Sequence, residues 1–215
     1  MTILYYISNR EKPEFEKRVR DNILKVSGGL PIVSVSQKPI DFGHNICVGD
    51  VGTSGFNMFR QVLIGLREVK TDYVISAEAD CMYPPDYFTF TPTKLDVAYR
   101  DSNLYVMGRH RDYFYFKPEG ATHAQVVGTK YYLDVLTKLF EGEPMWDTNQ
   151  KNFPKEKFHN KKEDVFDKVE YWRSENPVVQ IKTKDSMRHY THSERIPIYN
   201  LDYWGDSRQF FKTYV

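Results

Sequence analysis

The sequence predicts an α/β protein, with a mostly parallel central sheet, helices on both of its faces and an antiparallel edge, in one domain over residues 1–215. Three observations predict it. The chain opens on a strand, a helix and a second strand. A second helix then leads through a short turn into a buried strand that ends in two carboxylates. An aromatic, strand-rich block with one further helix follows, which suits an antiparallel extension of the sheet.

Taken in order, Thr2 to Ser8 (TILYYIS) is apolar along its length, as a strand buried on both faces should be. Glu14 to Val26 reads as a helix with Phe15, Val19, Ile23 and Leu24 on one face, stopped by Ser27-Gly28-Gly29. Pro31 to Ser36 is the second strand. A right-handed crossover makes the pair parallel and places a ligand site beyond the carboxyl ends of the strands. Ser8-Asn9-Arg10 and Ser36-Gln37-Lys38 leave those ends. Ser36 to Ser54 reads as a loop. Ser54 caps a helix over Phe56 to Val69, whose Phe56, Phe59, Val62, Leu63 and Leu66 recur at helical spacing. Asn57 and Gln61 share a face of it, toward a ligand or toward solvent.

After a turn at Lys70 to Asp72, the strand Tyr73 to Ala77 runs into Glu78 and Asp80. Residues two apart on extended chain point the same way, so both carboxylates converge just outside the sheet. Oxygen-only ligation suits Mg²⁺ or Mn²⁺. A polar turn capped by Pro84 and Pro85 would read the same way.

Beyond it, Val97 to Arg100, Leu104 to Met107 and Tyr113 to Phe116 read as strands. Gly128 to Phe140 reads as a helix with Tyr132, Val135, Leu136 and Leu139 inward. Gln150 to Lys162 carries five lysines and one acid, a solvated loop or a surface for a phosphate-bearing acceptor, with Phe153 and Phe158 able to stack on bases. A helix is expected from Glu163-Asp164 through Trp172, and Pro177 to Thr183 is the last strand. The histidines His189 and His192 follow it, and an aromatic tail from Ile196 to Gly205 should dock on the domain.

Composition narrows the classes. No apolar run approaches the ~20 residues of a membrane span, and Met1 to Tyr6 lacks the basic leader of a signal peptide, so a cytoplasmic protein is expected. Cys47 and Cys81 are too few for a disulfide framework and lack zinc spacing. A formal net charge of +1 gives no whole-molecule field for nucleic acid.

The stretch GTSGFNMFRQVLIGLREVKTDYVISAEADCMYPPDYF resembles the family 2 glycosyltransferases of GT-A architecture, where such a helix leads into a strand ending in D-x-D. Here Glu78 stands at the first acidic position. Ser36 to Asp41 (SQKPID), ahead of the N-x-x-x-Q helix, and Glu170 to Pro177 (EYWRSENP) are similar to phage and bacterial members of that group. The resemblance implies a nucleotide-sugar donor, UDP-linked in many members, held by Ser8, Asn9, Arg10, Ser36, Gln37, Lys38, Asn57, Gln61 and Glu78. It implies Mn²⁺ or Mg²⁺ at Asp80 and Glu78, completed by His189 or His192. It implies Asp164 as general base of an inverting transfer, with Glu163 orienting it or binding acceptor. Residues 1–90 would bind the donor and residues 91–215 the acceptor, with His123 a candidate there; the acceptor is a saccharide, lipid, protein or, through the basic loop 150–162, a hydroxymethylated pyrimidine in phage DNA. Two other readings stay open. A nucleotidyltransferase shares sheet and acidic site, but usually has a Gly-rich phosphate loop that Asn9-Arg10-Glu11-Lys12 does not supply. A non-catalytic module that binds sugar nucleotide or nucleic acid needs no base.

Overall fold

The structure is a computed structural model that describes residues 1–108, 111–147, 165–186 and 193–214. The first half runs β1 (Thr2–Ile7), α1 (Pro13–Val26), β2 (Ile32–Ser36), β3 (His44–Cys47), α2 (Gly55–Leu66) and β4 (Tyr73–Glu78). It continues with β5 (Cys81–Met82), a 3₁₀ turn at Pro85–Thr89, β6 (Ala98–Asp101), β7 (Leu104–Met107) and β8 (Phe114–Lys117). Then come β9 (Gln125–Gly128), α3 (Thr129–Leu139), β10 (Val169–Trp172) and β11 (Val178–Ile181). The short pair β12 (Asn200–Leu201) and β13 (Gly205–Asp206) precedes α4 (Ser207–Tyr214).

The expected α/β class with a mostly parallel central sheet is the class observed. Seven strands lie in the order β10-β6-β9-β4-β1-β2-β3. All run parallel except β9, which pairs antiparallel with both β4 and β6. The antiparallel element therefore lies inside the sheet. The expected strands at Leu104 and Tyr113 belong instead to a second sheet, β5-β11-β7-β8.

The alternation along β1 shows how the layers close. Ile3, Tyr5 and Ile7 pack with Phe15, Val19 and Ile23 of α1 on one face. Leu4 and Tyr6 meet Phe56, Val62 and Leu63 of α2 and Tyr132 and Leu136 of α3 on the other. Each fully buried Ile, Leu, Val or Phe among them contributes roughly 1.5–3 kcal/mol. Ser54 caps α2 as expected, its hydroxyl accepting from the Asn57 amide at 3.1 Å.

Several expectations are corrected. Leu24 is 57% exposed and is no part of the inward face of α1. The stretch from Ser36 to Ser54 is not all loop, because His44–Cys47 pairs parallel with β2 as the edge strand. Val169 to Trp172 is a strand paired with β6 rather than a helix. Its Val, Tyr and Trp favour extended chain, and the sheet edge supplies the partner that decides the matter. The expected helix start at Glu163-Asp164 and the basic segment Gln150 to Lys162 lie outside the described residues, as do His189 and His192. The aromatic tail does dock: Leu201 and Phe210 are buried, and the Trp204 indole donates to the Pro177 carbonyl at 2.7 Å.

Candidate active site

Parallel strands end together, and the groups that leave β1, β2 and β4 at their carboxyl ends meet in one open cleft of about 110 Å³. Ser8, Arg10, Glu11, Gln37, Gln61, Glu78 and Asp80 line it, with Thr53 and Ser54 on one side and Asp185 and Ser186 on another.

The walls are fixed by side chains that tie strand ends together. Asn9, with φ +53°, has the left-handed backbone that Asn tolerates better than most residues. Its Oδ1 accepts from the amides of Gln37 at 2.9 Å and Lys38 at 2.8 Å. Gln61, buried on α2, donates to the carbonyls of Ile7 at 3.0 Å and Val35 at 3.3 Å. Gln37 in turn clasps the loop before α2, donating to Gly52 at 2.8 Å and accepting from the Val51 amide at 3.3 Å. Asn57 is fully buried and turned away from the cleft, bonded to Val51 at 2.6 Å and to the backbone of Asp147 at 2.8 and 3.2 Å. Ser36 is buried against Asn45 at 3.0 Å, and Lys38 is exposed. Of the expected donor-site residues, the structure thus brings Ser8, Arg10, Gln37, Gln61 and Glu78 into the cleft. Asn9, Ser36, Lys38 and Asn57 hold its frame.

Glu78 and Asp80 both face the cleft. The Tyr6 hydroxyl donates to Glu78 Oε1 at 2.8 Å. Burial, and next the charge of Asp80, push the Glu78 carboxyl up to about 7, against the Tyr6 hydrogen bond and the charge of Lys182. Asp80 is held from β11: Gln180 Nε2 and Lys182 Nζ reach its Oδ2 at 3.1 and 3.3 Å. The Cys81 thiol reaches Oδ1 at 3.3 Å, and the Ile181 amide donates to the Asp80 carbonyl at 2.7 Å. Glu11 accepts from the hydroxyls of Thr183 and Ser186, which pins the segment after β11 beside the cleft.

Sequence reasoning did not single out Tyr6, Glu11, Gln180, Lys182 or Asp185. Only Glu11 carried a signal, as the acid next to Arg10 at a strand end. His123 is 5% exposed, and its carbonyl accepts from Tyr83 at 2.8 Å. Burial drives its imidazole down to about 3, so it stays neutral.

Among the described residues, four carboxylates, Glu11, Glu78, Asp80 and Asp185, line the cleft against the guanidinium of Arg10. An anionic ligand would need cations to enter. Among the described residues no group of three or more His, Cys, Asp or Glu could hold a metal. The Glu78–Asp80 pair nevertheless fits a hard cation that takes its remaining ligands from water and phosphate oxygens, as Mg²⁺ and Mn²⁺ do. Fold and site together define an α/β domain with an acidic ligand cleft at the carboxyl ends of its parallel strands.

No family model matches the chain, and no curated protein matches it. Several solved structures share its coarse chain course. One is a glycosyltransferase involved in the glycosylation of the major capsid of PBCV-1, with TM-score 0.46, 9% identity, and 80% of each chain covered. Another is S. aureus TarS 1-349 in complex with UDP-GlcNAc, with TM-score 0.45 and 9% identity over 86% of this chain and 59% of that one. A third is a nucleotidyl transferase from Methanothermobacter thermautotroptrophicus (Mth528), with TM-score 0.41 and 11% identity over 63% of this chain and 74% of that one. Among the described residues no helix is long and apolar enough to cross a membrane.

Proposed function

We propose that the protein is a glycosyltransferase that moves a sugar from a nucleotide-sugar donor, UDP-linked, to a hydroxyl acceptor. The observation that carries the reading is the pair Glu78 and Asp80 at the end of β4, facing a cleft that also takes the ends of β1 and β2. In this reading the base and ribose lie against Ser8, Arg10 and Gln37. Gln61 fixes the wall between β1 and β2 through its bonds to Ile7 and Val35. Asp80 and Glu78 would hold Mn²⁺ or Mg²⁺, with His189 or His192 the further ligand the sequence offers. Bound there, such a cation would neutralise the diphosphate as it leaves. Asp164 would take the proton of the acceptor hydroxyl in an inverting displacement, with Glu163 orienting it.

For the acceptor we propose a hydroxymethylated pyrimidine in DNA, on the strength of the basic, Phe-containing segment Gln150 to Lys162. Transfer to hydroxymethylated but not to unmodified DNA would support that acceptor, and transfer to neither would remove it.

The first experiment is hydrolysis of a panel of nucleotide sugars with and without Mn²⁺, in wild type and Asp80→Asn. Metal-dependent release of one nucleoside diphosphate, lost in the variant, is the expected result. No turnover and no thermal shift with any nucleotide sugar would overturn the reading. Pyrophosphate release from a nucleoside triphosphate and a sugar phosphate would replace it by nucleotidyl transfer.

A further inference from the structure

We propose that Lys182 is a built-in competitor for the divalent cation at Asp80, so that cation and nucleotide bind this cleft as a unit. The proposal rests on the glycosyltransferase reading and deepens it. A carboxylate oxygen offers about two lone-pair sites. Asp80 Oδ2 already accepts from Gln180 at 3.1 Å and from Lys182 at 3.3 Å, so its capacity is filled. Oδ1 accepts from Cys81 at 3.3 Å. A cation that uses Oδ2 must first displace a donor, and only one of the two is charged.

Lys182 is built into this place rather than resting on the surface. It is 8% exposed, and its own amide donates to the Met107 carbonyl at 2.9 Å, which anchors its backbone beside β7. Gln180 and Lys182 stand two apart on extended chain and so project from the same side of β11 toward the same oxygen.

The consequence is electrostatic. Lys182 offsets part of the charge of Glu78 and Asp80, the pair that would hold the cation, while Glu11 and Asp185 line the cleft beyond them, so the pair draws a divalent ion less strongly than two bare carboxylates would. The diphosphate of a nucleotide supplies the missing charge, and linkage then requires each ligand to tighten the other.

The test is Mn²⁺ binding to the full chain, read from the electron paramagnetic resonance signal of free Mn²⁺, with and without UDP. Wild type should bind Mn²⁺ weakly alone and far more tightly with UDP. Lys182→Met should bind Mn²⁺ without UDP at least about tenfold more tightly than wild type, because the buried competing charge is gone. The gain from UDP should shrink in step. Lys182→Arg, which keeps the charge, should stay near wild type. If Lys182→Met does not fold, as judged by near-ultraviolet circular dichroism, Lys182→Gln removes the charge while keeping a donor to Asp80 and should show the same tightening. Unchanged or weaker Mn²⁺ binding in the folded neutral variant overturns the proposal and leaves the transferase reading intact if UDP still binds with Mn²⁺. Failure of every form to bind UDP overturns the reading and the proposal together.

Discussion

Asn9 Oδ1 accepts the backbone N–H of Gln37 at 2.9 Å, and with the Lys38 amide at 2.8 Å this one atom joins the loop after β1 to the end of β2. The same residue has φ +53°, the one positive φ outside glycine among the described residues. Local backbone strain and a long-range contact therefore meet at a single position on the rim of the cleft.

Asn9→Ala should lose these two hydrogen bonds and the one its Nδ2 donates to Glu16 at 3.3 Å, and take on the left-handed backbone cost, roughly 2–4 kcal/mol of unfolding stability in all. Asn9→Gly loses the bonds but not the backbone freedom, and should recover about 1 kcal/mol of that. Urea unfolding of the two variants separates the terms. Equal losses would show that the left-handed conformation costs nothing here.

The Asp80–Lys182 pair makes a prediction about stability that is independent of any ligand. Their side chains are 15% and 9% exposed, so removal of either leaves the other buried without its ion-pair partner. Asp80→Ala should cost about 3 kcal/mol or more, and so should Lys182→Met. Asp80→Ala with Lys182→Met should cost less than the sum of the two, with a coupling of roughly 1–3 kcal/mol. Additive losses in chemical denaturation would mean that the two charges do not sense each other.

The frame of this site was legible because its signals are local. The run from Tyr73 to Ala77 is apolar, the carboxylates at Glu78 and Asp80 follow at once, and the helix before them repeats its apolar residues at helical spacing. What was not legible depends on partners far along the chain. Gln180 and Lys182 bond Asp80 from 100 and 102 residues away. The reversed direction of β9 is a property of its neighbours and not of QVVG. The edge strand His44–Cys47 is short and half exposed, so it shows neither alternation nor an apolar run. In Val169–Trp172 the acidic residues upstream suggested a helix start, while the pairing with β6 that makes it a strand is invisible from sequence. Helix α4 is only eight residues long, below the length at which periodicity separates helix from loop.

His123 should make the fold acid-sensitive. Its imidazole, driven down to about 3 by burial, with Lys117, Lys182 and Arg100 adding to the shift and Asp80 opposing it, is neutral when folded. Unfolded, it takes a proton near pH 6.5. The unfolded state thus binds more protons between about pH 6.5 and pH 3, so the stability present above that window is lost as pH falls through it. At pH 4.5 the loss should be roughly 2–3 kcal/mol. His123→Gln should remove that part of the pH slope, which thermal unfolding at pH 4.5 and 7.5 would show. An unchanged slope would mean that other groups govern the acid limb.

Gly128 joins β9 to α3 at φ −60°, a backbone any residue can adopt, so what its position demands is space. A Cβ there would sit 1.9 Å from the carbonyl oxygen of Leu95 and 2.8 Å from its carbonyl carbon, and backbone cannot step aside as a side chain can. Gly128 also pairs with Tyr73 at the start of β4, and the neighbouring Thr129 bonds the carbonyls of Thr71 at 2.7 Å and Asp72 at 2.8 Å. Any shift that makes room is thus applied to the strand whose far end carries Glu78. Gly128→Ala should cost about 3 kcal/mol or more. Gly142→Ala, where φ is +74° and nothing lies within 4 Å, should cost only about 1 kcal/mol through its backbone alone. Melting temperatures of the two variants, with nucleotide binding measured on whichever folds, test the argument. A Gly128→Ala protein as stable as Gly142→Ala would show that Leu95 yields freely and that the close approach does not fix β4.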